Sequence, residues 1–136
     1  MPENLYVDIV VPDDYVFQGD VESIRAPGVE GSFQVLRNHA PMIAAFEIGP
    51  LRIKNTDGEE IVFATSGGFL EVLDNKVTVL AETAEPASEI DVDRARSAEE
   101  RALQRLQEST TPEEREEAEQ ELERARNRLR TGMGQV

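Results

Sequence analysis

The period of the hydrophobic pattern changes near Ser88, and this change constrains the possible folds more than any other feature. Before Pro86, apolar and polar residues alternate in short runs separated by turn residues, which is typical of β-strands. From Ser88 onward, apolar residues recur at helical spacing in two stripes, which are Val92, Ala95, Ala98, Ala102 and Leu106, and then Ala118, Leu122, Ala125 and Leu129. The pattern predicts an all-β domain over residues 1–87 and a helical domain over residues 88–136.

The first part predicts an antiparallel sandwich or flattened barrel. Pro12 ends the first strand, Gln18-Gly19-Asp20 predicts a turn, and Asp74-Asn75 predicts a tight hairpin. Gly67-Gly68 lacks the Lys-Ser or Lys-Thr of a phosphate loop, so it predicts a strand bend. The predicted core comprises Leu5, Val7, Ile9, Phe33, Val35, Ile53, Val62, Val72, Val77 and Val79.

A turn-rich span over residues 26–41 interrupts the strand pattern. Pro27-Gly28 suits the centre of a type II turn, in which Gly takes a positive φ, and Gly31 and the segment Asn38–Pro41 add further turn signals. Phe33 and Val35 alternate with Gln34 between these turns. We therefore expect a rigid surface loop, which is the usual location of a recognition surface.

The second part predicts an antiparallel helical hairpin. Ser88 with Asp91 is suited to cap the first helix, Thr111 to Glu114 forms a capping box with Pro at the first helical position, and Gly132 ends the second helix. The alanine-rich stripes bury too little apolar surface to offset the ordering cost of roughly 1.5 kcal/mol per residue. The hairpin must therefore dock on the sandwich or on a partner.

Composition excludes several classes of function. The chain has 136 residues, a formal charge of −14, no Cys and one His. The acidic balance argues against nucleic-acid binding and favours protein partners with basic patches, and the lack of Cys excludes disulfides and thiolate chemistry. We expect no targeting segment and no membrane span, since no apolar run approaches about 18 residues.

No catalytic or metal constellation is evident. His39 has no partner at metal-ligand spacing, and no pair of acids stands out as a general acid and base. The one suggestive cluster is Arg94, Arg101, Arg124 and Arg128, which a closed hairpin brings together on an anion. The alternative is a solvated face of arginines paired with nearby glutamates.

Several short motifs in a fixed order resemble a known family. They are Val11-Pro12 followed by Phe17-x-Gly19, Pro27-Gly28-x-x-Gly31, Asn38-His39-Ala40-Pro41, Gly67-Gly68-Phe69-x-Glu71-Val72, Val77-x-Val79-Leu80 and Ile90-Asp91-Val92-Asp93-Arg94-Ala95. In this order they resemble the epsilon subunit of bacterial F-type rotary ATP synthases, equivalent to chloroplast epsilon and mitochondrial delta. The resemblance covers nearly the whole chain.

The resemblance implies a fold, a role and partners. The fold is an all-β N-terminal sandwich of about ten strands followed by a C-terminal helical hairpin. The role is that of a non-catalytic central-stalk subunit that binds the gamma subunit and stands on the c-subunit ring. The hairpin restrains ATP hydrolysis when it extends toward the catalytic alpha and beta subunits. The implied location is peripheral, on the cytoplasmic face of the bacterial inner membrane.

The resemblance also implies two sets of site residues. No cofactor is required, but some members bind ATP as a regulatory ligand, and the matching positions here are Glu85, Ile90, Asp91, Arg94, Ala95, Arg101, Arg124 and Arg128. The loop facing the c ring corresponds to Glu30, Ser32 and His39, where Ser32 replaces the acid of many members.

Two other classes of function remain open at this point. A free-standing module of sandwich and helical hairpin would clasp client proteins. An uncharacterised enzyme would need an acid-base or metal constellation that the sequence does not display.

Overall fold

A computed structural model describes residues 4–136 as a β-barrel followed by two helices. The strands are β1 (Leu5–Val11), β2 (Asp14–Ala26), β3 (Phe33–Leu36), β4 (Met42–Asn55), β5 (Glu60–Leu73), β6 (Lys76–Ala81) and β7 (Ala84–Pro86). A 3₁₀ turn over Ala87–Glu89 leads into α1 (Val92–Glu108) and α2 (Pro112–Gly132).

The strands close into a flattened barrel. The sheet order is β1-β6-β5-β4-β2-β3, and β1 also pairs with β2, so the path returns to its start. β1 and β6 are parallel, while the other pairs are antiparallel. The predicted architecture, a flattened all-β barrel followed by a helical hairpin, is confirmed.

The strand count differs from the expectation of about ten, because seven strands are found in the part of the chain that the structure describes. β2, β4 and β5 have 13, 14 and 14 residues, and β2 continues through Gly19, where the sequence indicated a turn. Gly67, where a strand bend was predicted, has a φ of 91° and is skipped in the register with β4. Pairing with β1 overrides that turn signal, since Gln18, Gly19 and Asp20 are matched to Asp8, Val7 and Tyr6. The predicted turn at Gln18–Asp20 is therefore wrong.

All of the predicted core side chains except Val62 lie in the barrel core or pack against it. Leu5, Val7, Ile9, Val35, Ile53, Val72, Val77 and Val79 are buried, and Phe33 packs against them while half-buried. Val62 is only half-buried, and its neighbour Phe63 fills the core instead, with its ring edge-on to Phe17 at 6.1 Å between centroids. Successive side chains of a strand point to opposite faces of the sheet, so only one of Val62 and Phe63 can point into the core. Here Phe63 points into the core.

Gly28 serves a different purpose from the predicted one. Its φ is not among the positive values, so the type II turn prediction is wrong. A Cβ at this position would lie 2.5 Å from the Gly31 carbonyl oxygen and 2.7 Å from the Phe33 ring. Gly28 is therefore needed for close packing inside the turn rather than for a left-handed backbone.

Both helices begin after a predicted capping residue, Asp91 for α1 and Thr111 for α2, and α2 ends at Gly132 as predicted. The Asp91 carboxylate accepts from the Arg94 amide at 3.1 Å, and the Thr111 hydroxyl accepts from the Glu114 amide at 3.1 Å. Ser88 lies in the preceding 3₁₀ turn and does not cap α1.

The helices run antiparallel, as predicted. Arg105 forms ion pairs with Glu117 and Glu121, and Arg126 forms one with Glu99, so later residues of α1 face earlier residues of α2. Together α1 and α2 form the hairpin.

Candidate functional site

The hairpin docks on β5 through a small apolar cluster. Ala64 on β5 packs with Ile90, with Ala95 on α1 and with Leu129 on α2, and we call these four residues the docking cluster. Ile90, Asp91 and Ala95 thus have structural roles in this state: Ile90 and Ala95 are buried against the barrel, and Asp91 caps α1. These three residues of the predicted nucleotide motif therefore fix the start of α1 on the barrel.

Beside the docking cluster, an open cavity separates the hairpin from the barrel. Its volume is about 620 Å³, within the range of roughly 300–1,000 Å³ for small-molecule sites. We call it the hairpin cavity. Its lining is Val11, Ala64, Thr65, Ser66, Glu82, Thr83, Ala84, Glu85, Ala98, Arg101, Glu121, Arg124, Ala125, Asn127 and Arg128.

Three of the four arginines predicted to converge do so. Arg101 of α1 and Arg124 and Arg128 of α2 all line the hairpin cavity. Arg94 does not: it lines a neighbouring space of about 400 Å³ with Asp91, Asp93 and Ser97. Arg101 borders both spaces.

The charges of the hairpin cavity are only partly paired. Arg128 forms a two-pronged ion pair with Glu85, Nε to Oε1 at 2.8 Å and Nη2 to Oε2 at 3.3 Å. Glu121 is held by Arg105. Within residues 4–136, no ion pair is found for Arg101, Arg124 or Glu82. Arg101 and Arg124 therefore remain unpaired along the lining, and guanidinium groups without an ion-pair partner suit an anionic ligand, although the three lining arginines are matched in number by Glu82, Glu85 and Glu121.

Sequence reasoning missed Asn127 and Thr65. The Asn127 amide donates to the Thr65 carbonyl oxygen at 3.2 Å, which ties α2 to β5 across the floor of the cavity, and the buried Thr65 hydroxyl donates to the Gly49 carbonyl oxygen at 3.1 Å. The spacing of Asn127, three residues after Arg124 and beside the apolar stripe, was an available signal.

The predicted ring-facing residues lie in two turns at opposite ends of β3. Glu30 and Ser32 are exposed in the turn before β3, while half-buried His39 lies in the turn after it. His39 bonds through Nδ1 to the Ala40 carbonyl oxygen at 2.8 Å, so its ring is tied to its own turn.

Chemically, the arrangement suits the binding of an anionic ligand. Arginines around a half-open apolar cavity hold phosphate groups through charged hydrogen bonds. Among the residues the structure describes, no group of three His, Cys, Asp or Glu side chains is placed to hold a metal ion. Over the same residues, neither helix is long and apolar enough to cross a membrane.

Family models match both parts of the chain. The β-sandwich domain of the ATP synthase delta/epsilon chain matches residues 4–87, and the long α-helix domain of the same chain matches residues 88–132.

Individual relatives agree with these matches. The ATP synthase epsilon chain of Salinibacter ruber is 62% identical over 144 aligned residues, covering 100% of this chain and 97% of that relative. The epsilon chain of Nitratidesulfovibrio vulgaris strain DP4 is 47% identical over 130 residues, covering 96% of each.

Solved structures show the same fold. A chain in the cryo-EM structure of Euglena gracilis mitochondrial ATP synthase, OSCP/F1/c-ring in rotational state 1, has a TM-score of 0.81 at 26% identity, covering 93% of this chain and 80% of that one. A chain of the Tetrahymena thermophila mitochondrial ATP synthase has a TM-score of 0.68 at 19% identity, covering 96% and 97%, and supports the fold alone.

Fold and site together define a protein in which a β-barrel carries a docked helical hairpin over a cavity lined by arginines. The chain belongs to the ATP synthase delta/epsilon chain family. The predicted role as a non-catalytic epsilon subunit of an ATP synthase is confirmed.

Proposed function

We propose that this chain connects the gamma subunit to the c-subunit ring in the central stalk, and that its hairpin restrains ATP hydrolysis when it leaves the barrel. ATP is the proposed regulatory ligand of the docked hairpin. The regulatory part of this proposal rests on the hairpin cavity, in which Arg101 and Arg124 have no ion-pair partner within residues 4–136. The proposed location is the cytoplasmic face of the bacterial inner membrane, where the chain is held by its partners.

The proposed gamma-binding surface is the outer face of β4, β5 and β6. Phe69 is the register partner of both Ala45 and Leu80, so the three form a row across these strands. Phe69 and Leu80 are 58% and 53% exposed, and Ile43 on the same sheet is 73% exposed. Contiguous exposed apolar side chains of this kind mark protein–protein contacts. A subunit held permanently in the central stalk suits such a surface.

The proposed contact with the c ring uses the two turns that flank β3. Glu30 and Ser32 are exposed on one side and His39 lies on the other. Turns at the ends of a sandwich are common binding sites because a rigid scaffold fixes them. We expect replacement of Glu30 and His39 together by Ala to uncouple proton flow from synthesis without unfolding the barrel.

The proposed switch follows from how lightly the hairpin is held. The docking cluster contains two alanines, and the ion pairs between hairpin and barrel or between the helices are partly exposed. On extension, Arg126 loses its partner Glu99 only if the helices separate, while Arg130 has no ion pair within the described residues. On extension Arg130 is then available to acidic surfaces of the catalytic alpha and beta subunits, and separation of the helices makes Arg126 available as well.

ATP can bias this switch without controlling it alone. A ligand present at a hundred times its Kd stabilises the state it binds by about 2.7 kcal/mol. A change from 1:99 to 99:1 requires about 5.5 kcal/mol. The remainder must come from contacts that the hairpin makes with gamma and with the catalytic subunits.

The test compares two variants with the same charge change on α2. Arg124→Gln alters the cavity, and Arg115→Gln alters an exposed arginine of α2 that does not line it. By calorimetry on the isolated protein, we expect Arg124→Gln to weaken ATP binding at least tenfold, the factor for one charged hydrogen bond of about 1.5–3 kcal/mol. Arg115→Gln should bind ATP as the parent does.

In the assembled enzyme, Arg124→Gln should increase inhibition of hydrolysis at high ATP, and deletion of residues 88–136 should abolish inhibition. Equal ATP binding by the two variants would reject the site. Hydrolysis unchanged by the deletion would reject the switch.

A further inference from the structure

Two asparagines with left-handed backbones hold each other across 37 residues of sequence. Asn38, with φ of 67°, lies in the turn after β3, and Asn75, with φ of 63°, lies in the β5–β6 turn. The backbone amide of Asn38 donates to Asn75 Oδ1 at 2.6 Å, and the side-chain Nδ2 of Asn75 donates to Asn38 Oδ1 at 3.2 Å. We call this reciprocal pair the asparagine clasp.

The clasp is also tied to the first strand. The Asn75 carbonyl oxygen accepts from the Tyr6 amide at 2.9 Å, so the β5–β6 turn is anchored to β1. Asn38 therefore connects its own turn to the closed part of the barrel, which is the rigid part of the molecule.

The clasp acts directly on the turn that carries His39. His39 follows Asn38, its amide donates to the Leu36 carbonyl oxygen at 3.3 Å, and its ring bonds to the Ala40 carbonyl oxygen at 2.8 Å. Those bonds are local to the turn, whereas the clasp fixes the turn as a whole relative to β1 and β6. Holding a side chain on a surface turn requires both kinds of contact, since a turn that is ordered internally still moves as a unit.

We propose that Asn38 and Asn75 are positioning residues for the contact with the c ring, and that the clasped β5–β6 turn forms part of the same ring-facing surface. Each clasped asparagine follows an exposed leucine by two residues, Leu36 at 53% and Leu73 at 51% exposure. The surface therefore extends from His39 across the clasp to Leu73. This inference rests on the proposed ring contact of His39.

Glycine substitution tests the clasp without straining the backbone, because Gly adopts positive φ freely. Asn75→Gly removes both bonds of the clasp, whereas Asn38→Gly removes only the bond to Asn38 Oδ1, because the backbone amide of residue 38 still donates to Asn75 Oδ1. Asp13→Gly is the matched control, since Asp13 also has a positive φ, of 69°, but lies in the β1–β2 turn at the other end of β1. Asn75→Asp is the rescue variant, because its carboxylate still accepts from the Asn38 amide and, after rotation of the Asn38 side-chain amide, from its Nδ2.

The measurement is the affinity of each variant for membrane vesicles that carry the ATP synthase stripped of this chain, together with proton-coupled synthesis after reassembly. Asn75→Gly should bind about five- to tenfold more weakly, the factor associated with one ordered hydrogen bond, and Asn38→Gly, which keeps one of the two bonds, should lose less affinity. Asp13→Gly and Asn75→Asp should match the parent. Faster hydrogen exchange at the backbone amide of Asn38 in isolated Asn75→Gly, with unchanged exchange in β1, should accompany the loss.

The outcomes separate this inference from the proposed ring contact. Affinity and coupling equal to the parent in both glycine variants would overturn the clasp proposal. If replacing Glu30 and His39 by Ala uncouples the enzyme while the glycine variants do not, the ring contact stands and the clasp proposal fails. If a glycine variant melts early, a failure of Asn75→Asp to restore affinity in a folded protein also overturns it.

Discussion

The barrel interior and the surface on which the hairpin docks meet on one strand, yet they are built from side chains of different size. On β5, Phe63 points into the barrel core and its neighbour Ala64 points into the docking cluster. Burying a large apolar side chain stabilises a fold by about 1.5–3 kcal/mol, and each buried CH₂ contributes about 0.8 kcal/mol. Adjacent residues of one strand thus hold a permanent structure on one face and a releasable one on the other.

Removing a large core side chain should give the largest effect. We expect Phe63→Ala to lower the free energy of unfolding of the barrel by about 3–5 kcal/mol, because Phe63 is 2% exposed and its ring contacts Phe17. Urea denaturation measures the change. Val62→Ala is the matched control, and a loss of similar size there would mean that β5 presents the opposite face to the core.

Adding one methyl group at the hairpin interface should have a smaller and more local effect. A Cβ at Gly132 would lie 2.7 Å from Ile90 Cγ2 and 3.3 Å from Val92 Cγ2. Overpacking of this kind costs about 1–3 kcal/mol, while Ala favours a helix over Gly by about 1 kcal/mol. Gly132→Ala should therefore shift the hairpin toward the undocked state and leave the melting of the barrel unchanged.

Spin-label distances between Thr56→Cys and Glu119→Cys can report this undocking. Ile90→Ala removes the methyl group that the new Cβ would meet, so the double variant with Gly132→Ala should dock better than the sum of the two single effects predicts. Additive effects would mean that the two residues do not meet.

The smallest expected effect concerns the start of α2 and depends on pH. The Thr110 amide, and then its hydroxyl, donate to the Glu114 carboxylate and lower the pKa of Glu114. A lowered pKa in the folded state contributes stability above the carboxyl's ordinary pKa, and this contribution is lost as the pH falls through the folded-state value.

Acidification should therefore fray the first turn of α2 before it affects the barrel. Nuclear magnetic resonance of the Thr110 and Glu114 amides follows the change. In Glu114→Gln, whose side chain still accepts from the Thr110 amide, the same turn should not respond to pH over that window. An identical acid response in that variant would assign the fraying to another group.

The sequence predicted the features that local chemistry determines. Asp91 and Thr111 cap their helices, and Asp74 and Asn75 both adopt positive φ in a two-residue hairpin, because these side chains satisfy nearby backbone groups without help from the rest of the fold. The architecture followed from the change in hydrophobic period, and the resemblance supplied the family.

What failed depends on contacts between distant segments. Strand pairing carried β2 through Gly19, and packing of the hairpin on β5 gave Phe63 and Ala64 separate apolar environments, which simple alternation could not distinguish. For the candidate site, helical spacing brought Arg101, Arg124 and Arg128 together but not Arg94. The Glu85–Arg128 ion pair joins the two domains, so it depends on how they dock, and the pattern of neither domain alone predicts that docking.

The parallel pairing of β1 with β6 has a consequence for how the protein is made. The register joins Tyr6 to Lys76 and Val10 to Leu80, so β1 lacks one of its two neighbours in the barrel until nearly the whole barrel has been synthesised. Contacts so distant in sequence slow folding, and an unpaired apolar strand is prone to aggregate. β2 follows immediately and can pair with β1 as a hairpin, which protects one edge of β1 on the nascent chain while the other waits for β6.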